Sequence, residues 1–293
     1  MDHVGRIFRP PSEAQSLLLQ VTVGCSWNRC TYCAMYRDEE QRFRVKPFDT
    51  VAADIDEAAA SGRHFPRVFL CDGDALALPA PKLRRILQRL RDRLPGVRRV
   101  GIYGDARTVL RKSAAELGEL RGLGLGIVYH GVESGDETTL RRIDKGSTRA
   151  ETAAAARRLH EAGLRHSVIV MLGIGGVART REHAAATADL LTEMDPPYVG
   201  ALTTTLVPGT PLHADARRGD FRLPDPWGLL EELETLIARS RFTRCAFHAN
   251  HASNYLPLRL NLPADREKGL LMIRGALDSR DPTLLMPEYW RGL

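Results

Sequence analysis

Three cysteines fall within nine residues of the stretch VTVGCSWNRCTYCAMYR, at Cys25, Cys30 and Cys33, spaced Cys-x4-Cys-x2-Cys. Thiolates ligate soft metals, and such spacing lets one loop wrap several donors around one centre. The count matters. A structural zinc site closes its shell with four protein ligands, and an electron-transfer 4Fe-4S cluster takes four cysteines. Three leave one metal position open for a substrate. Cys71 and Cys245 are single and far away in sequence, so neither is an obvious fourth ligand. The pattern leaves open a zinc knuckle completed by a remote His or Cys. A disulfide framework is not expected, because that belongs to small secreted chains.

Other segments carry chemistry of their own. Cys71-Asp72-Gly73-Asp74 follows an apolar run, and so does His130-Gly131-Val132-Glu133-Ser134-Gly135, which leads into LRRIDKG. MLGIGG (171–176) and LVPGTPL (206–212) close two further apolar runs with glycine. Tyr103 and Arg107 follow another. Near the C-terminus, FHANHASNY gathers His248, Asn250, His251, Asn254 and Tyr255, a set suited to hydrogen bonding with a substrate or to turn formation. The His-x2-His spacing there is not joined by a carboxylate or Cys, which speaks against a metal.

The elements that position these groups read as alternating strands and helices. Strands are expected at 16–24, 67–71, 99–104, 126–133, 166–172 and 199–207, mostly as continuous apolar runs, the pattern of strands buried on both faces of a parallel sheet. Helices are expected at 49–61, 80–93, 106–122, 136–143, 148–162 and 178–194, the fifth opening with Thr148 and Glu151 in capping-box register. Six βα units imply parallel strands with active residues at their C-terminal ends. Periodicity alone does not choose between a barrel and an open doubly wound sheet. Residues 1–15 read as a lead-in, 16–210 as the core and 211–293 as an extension that caps it, with helices at 226–239 and 263–278.

Composition adds limits. The chain has 293 residues, 43% hydrophobic and 27% charged, which is ordinary for a soluble domain. No apolar run reaches the length of a membrane span, and the N-terminus lacks the apolar stretch of a secretory signal, so a cytoplasmic location and no membrane partner are expected. The net charge is +6. Its basic residues interleave with acids and no aromatic stripe accompanies them, so solvated helix faces explain the charge better than nucleic acid does.

The cysteine loop after the first strand, the aromatic Tyr32 before its last cysteine and the βα repeats together resemble the radical SAM (S-adenosylmethionine) superfamily over residues 16–210. This loop is one residue longer than the family's common Cys-x3-Cys-x2-Cys. The resemblance implies an α/β fold, a partial (β/α)6 TIM-like barrel with a C-terminal extension. It implies a 4Fe-4S cluster on Cys25, Cys30 and Cys33, S-adenosylmethionine as cofactor, and reductive cleavage to a 5′-deoxyadenosyl radical that takes hydrogen from a substrate. A flavodoxin or ferredoxin would supply the electron. By resemblance, Tyr32 lies near adenine, and Asp72, Gly73 and Asp74 stand for the Gly-Gly-Glu that holds the methionyl ammonium. Glu133 and Ser134, in a Gly-x-Glu-Ser-Gly segment, stand for the ribose contacts. Arg142 or Lys145 would meet the methionyl carboxylate, Gly175 and Val207 the adenine, and Tyr103 and Arg107 cofactor or substrate. The 247–255 segment is expected to close the cavity, with at least two of its polar residues lining it. Two other readings are aminocarboxypropyl transfer on the same scaffold and a metal-stabilised RNA-binding protein.

Overall fold

A computed structural model describes residues 1–292. Its strands are β1 (Leu17–Gln20), β2 (Thr22–Val23), β3 (Arg44–Val45), β4 (Arg67–Cys71), β5 (Arg99–Tyr103), β6 (Leu125–Glu133), β7 (Arg165–Leu172), β8 (Tyr198–Thr203), β9 (Cys245–His248) and β10 (Arg259–Leu262). The helices are α1 (Phe48–Ala60), α2 (Ala80–Arg93), α3 (Ala106–Leu110), α4 (Ala114–Gly122), α5 (Glu137–Arg142), α6 (Arg149–Glu161), α7 (Thr180–Met194), α8 (Pro211–Arg218), α9 (Pro226–Arg239) and α10 (Arg266–Ser279). The fold is α/β with a mostly parallel eight-stranded sheet. The chain forms two compact units. One comprises Met1–Asn28, Met35–His130 and Ala154–His166; the other comprises Arg29–Ala34, Gly131–Ala153 and residues from Ser167 onward. Residues 211–292 share a unit with residues 167–210.

In the first unit the strand order is β1-β4-β5-β6, all parallel, with Leu19 opposite Leu70 and Leu70 opposite Ile102. Val68, Phe69, Leu70 and Cys71 are all sealed from solvent, as a strand covered on both faces requires. Helices α1 and α2 pack together, as do α2 and α4. Leu83, Leu87, Leu90, Ile55 and Val51 share one core with the strand residues. The expected first strand is broken at Val21. Gln20 ends β1, while Thr22 and Val23 turn to pair antiparallel with β3. The expected helix 106–122 is likewise two helices. Ser113 caps α4 with its side chain on Glu116 N–H while Glu116 reaches back, a reciprocal box that starts a new helix there.

Strand β6 continues past His130 into the second unit, where the order is β6-β7-β8-β9-β10. β7 and β8 are parallel, with Ile169 opposite Gly200. β9 joins β8 in parallel and β10 runs back antiparallel, Phe247 opposite Leu260. The polar 247–255 stretch thus begins as a strand, because Cys245 and Phe247 are buried on one face. β7 and β8 also depart from expectation. Their burial alternates, with Ile169, Met171, Gly200 and Leu202 only half-buried, so one apolar face is open. Helix α7 packs on α9, and α9 on α10. Thr148 and Glu151 form the expected capping box, Glu151 N–H reaching Thr148 Oγ1 at 3.1 Å and Thr148 N–H reaching Glu151 Oε2 at 2.8 Å.

Glu232 of α9 is 1% exposed and accepts from Gly173 N–H at 2.6 Å. Burial pushes its carboxyl pKa up to about 8. An acid whose folded-state pKa is raised takes up a proton on folding, so stability falls as pH climbs from its ordinary range toward 8. We predict that Glu232→Gln flattens this fall, a difference on the order of a few kcal/mol between pH 6 and 8.5. Urea unfolding at both pH values checks it. Parallel wild-type and variant pH profiles would contradict the assignment.

Candidate functional site

The cysteine loop starts where β2 ends. In the first unit, Ser26 donates to Asp74 Oδ2, Trp27 stacks with its ring 4.2 Å from the Arg107 guanidinium, and Asn28 takes a left-handed φ of 46°. Asn28 Nδ2 donates to Tyr36 O at 2.5 Å. Gly73 faces Cys25: a Cβ there would stand 3.2 Å from the Cys25 Cβ and 2.4 Å from the Tyr36 ring, so a side chain does not fit.

In the second unit the rest of the loop is fixed by its backbone. Thr31 N–H donates to Ile143 O at 2.9 Å, and Thr31 O accepts from Leu212 N–H at 3.0 Å. Cys33 N–H closes a turn on Cys30 O at 3.2 Å. The Tyr32 ring packs beside Ile143, Leu212 and Phe221. Burial, then Glu133 and the adjacent thiols of Cys30 and Cys33, push its phenol well above the ordinary range, and it hydrogen-bonds Glu133.

The three loop cysteines are half-buried, whereas Cys71 and Cys245 are sealed. Burial raises both sealed thiols, Cys245 to about 12. Among the described residues no three His, Cys, Asp or Glu side chains form a preassembled metal group. The loop's fitness for a metal therefore lies in its donor chemistry and accessibility.

Asp74 is 1% exposed. Burial, then Asp105, raises its pKa to about 7 against the pull of Ser26 and Thr108, whose hydroxyl donates at 3.0 Å. Lys112 lies close enough to feel Asp74, yet burial lowers it to about 8, and its ammonium donates to Leu76 O at 2.5 Å. Asp72 points elsewhere. Its carboxylate accepts from Gln20 at 2.8 Å and Tyr36 at 3.2 Å, tying β4 to β1. Tyr103 packs edge-on against Phe69 and Tyr129, and Arg107 pairs with Asp105 at 2.9 Å.

Glu133 ends β6 at a left-handed φ of 64° and accepts from Lys145 at 3.0 Å. Ser134 is fully buried, its hydroxyl 2.8 Å from His183 Nδ1. Arg142 donates to Asp220 O and lies 4.9 Å from the Phe221 ring, so its guanidinium fastens the segment before α9. A Cβ at Gly175 would meet the His183 Cβ at 2.9 Å. Val207 O already accepts from Thr210 N–H at 3.2 Å and its hydroxyl at 2.7 Å.

The C-terminal polar segment is largely self-satisfied. Asn254 accepts from Thr203 at 2.8 Å and donates to Ala201 O at 2.8 Å. His251 bonds Ser253 at 2.9 Å, and Asn250 accepts from Arg259 at 2.9 and 3.0 Å. Tyr255 donates to Glu288 at 2.8 Å, while His248 is exposed at a strand end. A cavity of about 690 Å³ at the start of α7 and α9 is lined by Thr180, Arg181 and Arg222, none of them a residue singled out from sequence. His183, Thr108, Ser26 and Glu232 escaped the sequence reading. Ser26 alone had a signal, its position inside the cysteine loop.

The radical SAM superfamily model matches residues 19–191. The chain belongs to the radical SAM superfamily. It is therefore an enzyme of a family that uses an iron–sulfur cluster and S-adenosylmethionine. Among solved structures it is similar to the radical S-adenosylmethionine methyltransferase TsrM of Kitasatospora setae, with cobalamin and a [4Fe-4S] cluster bound. That match has 19% identity and TM-score 0.57, over 72% of this chain and 41% of that one. It is also similar to methylornithine synthase, at 18% identity and TM-score 0.54, over 78% and 63% of the chains. The coproporphyrinogen III oxidase of Escherichia coli matches at 18% identity and TM-score 0.56, over 76% and 51%. The chain thus spans less than two thirds of each of these structures, and at such identities the likeness shows the fold. No curated protein sequence matches it. Among the described residues no helix is long and apolar enough to cross a membrane.

The contrast among the five thiols is testable. In the native, metal-free chain, iodoacetamide should label Cys25, Cys30 and Cys33 well before Cys71 and Cys245, which should react only on unfolding. Peptide mass spectrometry reads the order. Labelling of Cys71 alongside the loop would contradict the burial described.

Proposed function

We propose that Cys25, Cys30 and Cys33 hold a 4Fe-4S cluster and that the reaction is reductive cleavage of S-adenosylmethionine, yielding a radical that takes hydrogen from the substrate. The observation that carries this reading is the donor set. The region matched by the family model holds three accessible thiols in one loop, and the remaining two cysteines are sealed in cores. Three thiolates leave one iron without a protein ligand, the position for the methionyl end of the cofactor. When bound, the cluster supplies one electron to the sulfonium, whose homolysis gives methionine and the 5′-deoxyadenosyl radical.

The chain's own residues supply placement and charge. Asp74, fixed by the Ser26 and Thr108 hydroxyls, accepts the methionyl ammonium. A cation there offsets the burial that holds the carboxyl near 7 and favours its ionised form. Gly73 gives the backbone room against Cys25. Glu133, oriented by Tyr32 and Lys145, takes the ribose hydroxyls, and the Tyr32 ring lies on the adenine side. Ser134 keeps the turn in shape. Its hydroxyl bonds His183, while the Arg142 guanidinium, held on Asp220 O, or the Lys145 ammonium, held on Glu133, meets the methionyl carboxylate. Asn254 and Ser253 act as scaffold for the end of β8. The half-buried faces of β7 and β8, with Ile169, Met171, Gly200 and Leu202, form a wall without charge on the substrate side.

Anaerobic reconstitution should give about four irons per chain, and Ala at Cys25, Cys30 or Cys33 should remove the visible absorbance while Ala at Cys71 or Cys245 keeps it. With dithionite, the reconstituted protein should release 5′-deoxyadenosine. Methylthioadenosine instead would point to aminocarboxypropyl transfer, and stoichiometric zinc without sulfide would sink the proposal. Asp74→Ala should retain iron yet weaken cofactor binding by roughly 1–3 kcal/mol, the loss of a charge-assisted bond. Equilibrium dialysis measures it, and wild-type affinity would remove Asp74 from the site.

A further inference from the structure

His183 sits one turn into α7 and is 1% exposed. A buried imidazole costs desolvation unless both nitrogens are used. Here both are. Nε2 lies 3.1 Å from Met171 O, and a carbonyl only accepts, so Nε2 carries the proton. Nδ1 is then an acceptor, and Ser134 Oγ, 2.8 Å away, donates to it. With its proton so engaged, Ser134 Oγ accepts from Asp136 N–H at 3.0 Å. Burial lowers the imidazole pKa to about 4, so this neutral tautomer persists at physiological pH.

The neighbouring turns of α7 continue the grip. Arg179, four residues earlier, donates twice to the Asp136 carboxylate, at 2.8 and 2.9 Å. Thr187, four residues later, accepts from Gly135 N–H at 2.9 Å. One face of the helix therefore holds every residue from Ser134 to Asp136. Close packing does the rest: a Cβ at Gly135 would stand 2.2 Å from Ala186 O, and one at Gly175 2.9 Å from the His183 Cβ. The residue immediately before this gripped turn is Glu133, in its left-handed conformation. His183 spans the turn after β6 and the carbonyl at the end of β7, so it ties two strand ends together through one ring.

We infer that His183 is a positioning residue for the cofactor, holding the Ser134 turn so that Glu133 is presented to the ribose. The inference rests on the assignment of Glu133 made above. A side chain that merely filled this space would be apolar and would need neither hydrogen bond.

The test uses the reconstituted holoenzyme and compares His183→Ala, Ser134→Ala, the double variant, Glu133→Gln and, as a core-truncation control, Ile273→Ala. Iron content, melting temperature and S-adenosylmethionine affinity are measured for each. His183→Ala and Ser134→Ala should each weaken cofactor affinity about tenfold with iron retained, and the double variant should be no weaker than either single one. KM for the cofactor in uncoupled cleavage should rise with little change in kcat. Ile273→Ala should lower the melting temperature without moving affinity. If His183→Ala fails to fold, Ser134→Ala and His183→Asn, which keeps a group near the Nδ1 position, carry the comparison, and Asn should restore part of the affinity. Weakening in Glu133→Gln with none in the His183 and Ser134 variants would overturn the inference alone. Unchanged affinity in all of them would overturn the assignment of Glu133 as well. Affinity that merely follows melting temperature, the Ile273 control included, would leave His183 only a core residue and overturn the positioning role.

Discussion

The backbone of Thr31 is held from both sides, its N–H on Ile143 O and its carbonyl under Leu212 N–H, and the site depends on that clamp. A loop offering three thiols to one centre must limit their freedom, or the entropy of gathering them works against the metal. Here the constraint falls on main-chain atoms between two of the cysteines. Tyr32 adds an apolar anchor, and Gly73 lets a strand end approach Cys25 more closely than any side chain allows.

Electrostatics divides the labour around that loop. Asp74 is buried, with Asp105 nearby, and so sits close to neutral pH, poised to gain from an incoming cation. Glu133 already has an ammonium and a phenol, so it is fixed in place. Asp136 shows the opposite balance. Burial works against its charge, yet Arg179 and Thr139 bring its pKa down to about 2, and it stays ionised as a structural tie. These carboxylates thus take different roles because their partners differ.

Much of this was legible in the sequence. The apolar runs at 67–71, 99–104 and 126–133 gave their strands nearly residue for residue, because burial on both faces leaves little room for polar residues. The Thr148–Glu151 box was readable for the same reason caps usually are: its chemistry is local. Ser113-x-x-Glu116 carried the same signature and marks where the expected helix 106–122 breaks. What stayed hidden depends on contacts between distant segments. His183 reads as one more helix residue until Ser134, 49 residues away, is brought against it. The 247–255 segment looked poised for a substrate because of its polar density. Asn254 and Ser253 bond Ala201 and Thr203, contacts that composition does not reveal. The half-open faces of β7 and β8 were hidden as well, since a half-buried apolar face has the same residue types as one sealed in a core.

In the proposed site three loop thiolates leave one iron open for the methionyl end of the cofactor. The most direct measurement is electron paramagnetic resonance of the reduced cluster, with S-adenosylmethionine isotopically labelled at its amino nitrogen. Adding the cofactor should shift the signal and introduce hyperfine coupling from that nitrogen, and both should vanish when any one of Cys25, Cys30 or Cys33 is replaced. A cluster signal that ignores the cofactor, or that persists without one of these cysteines, would contradict it.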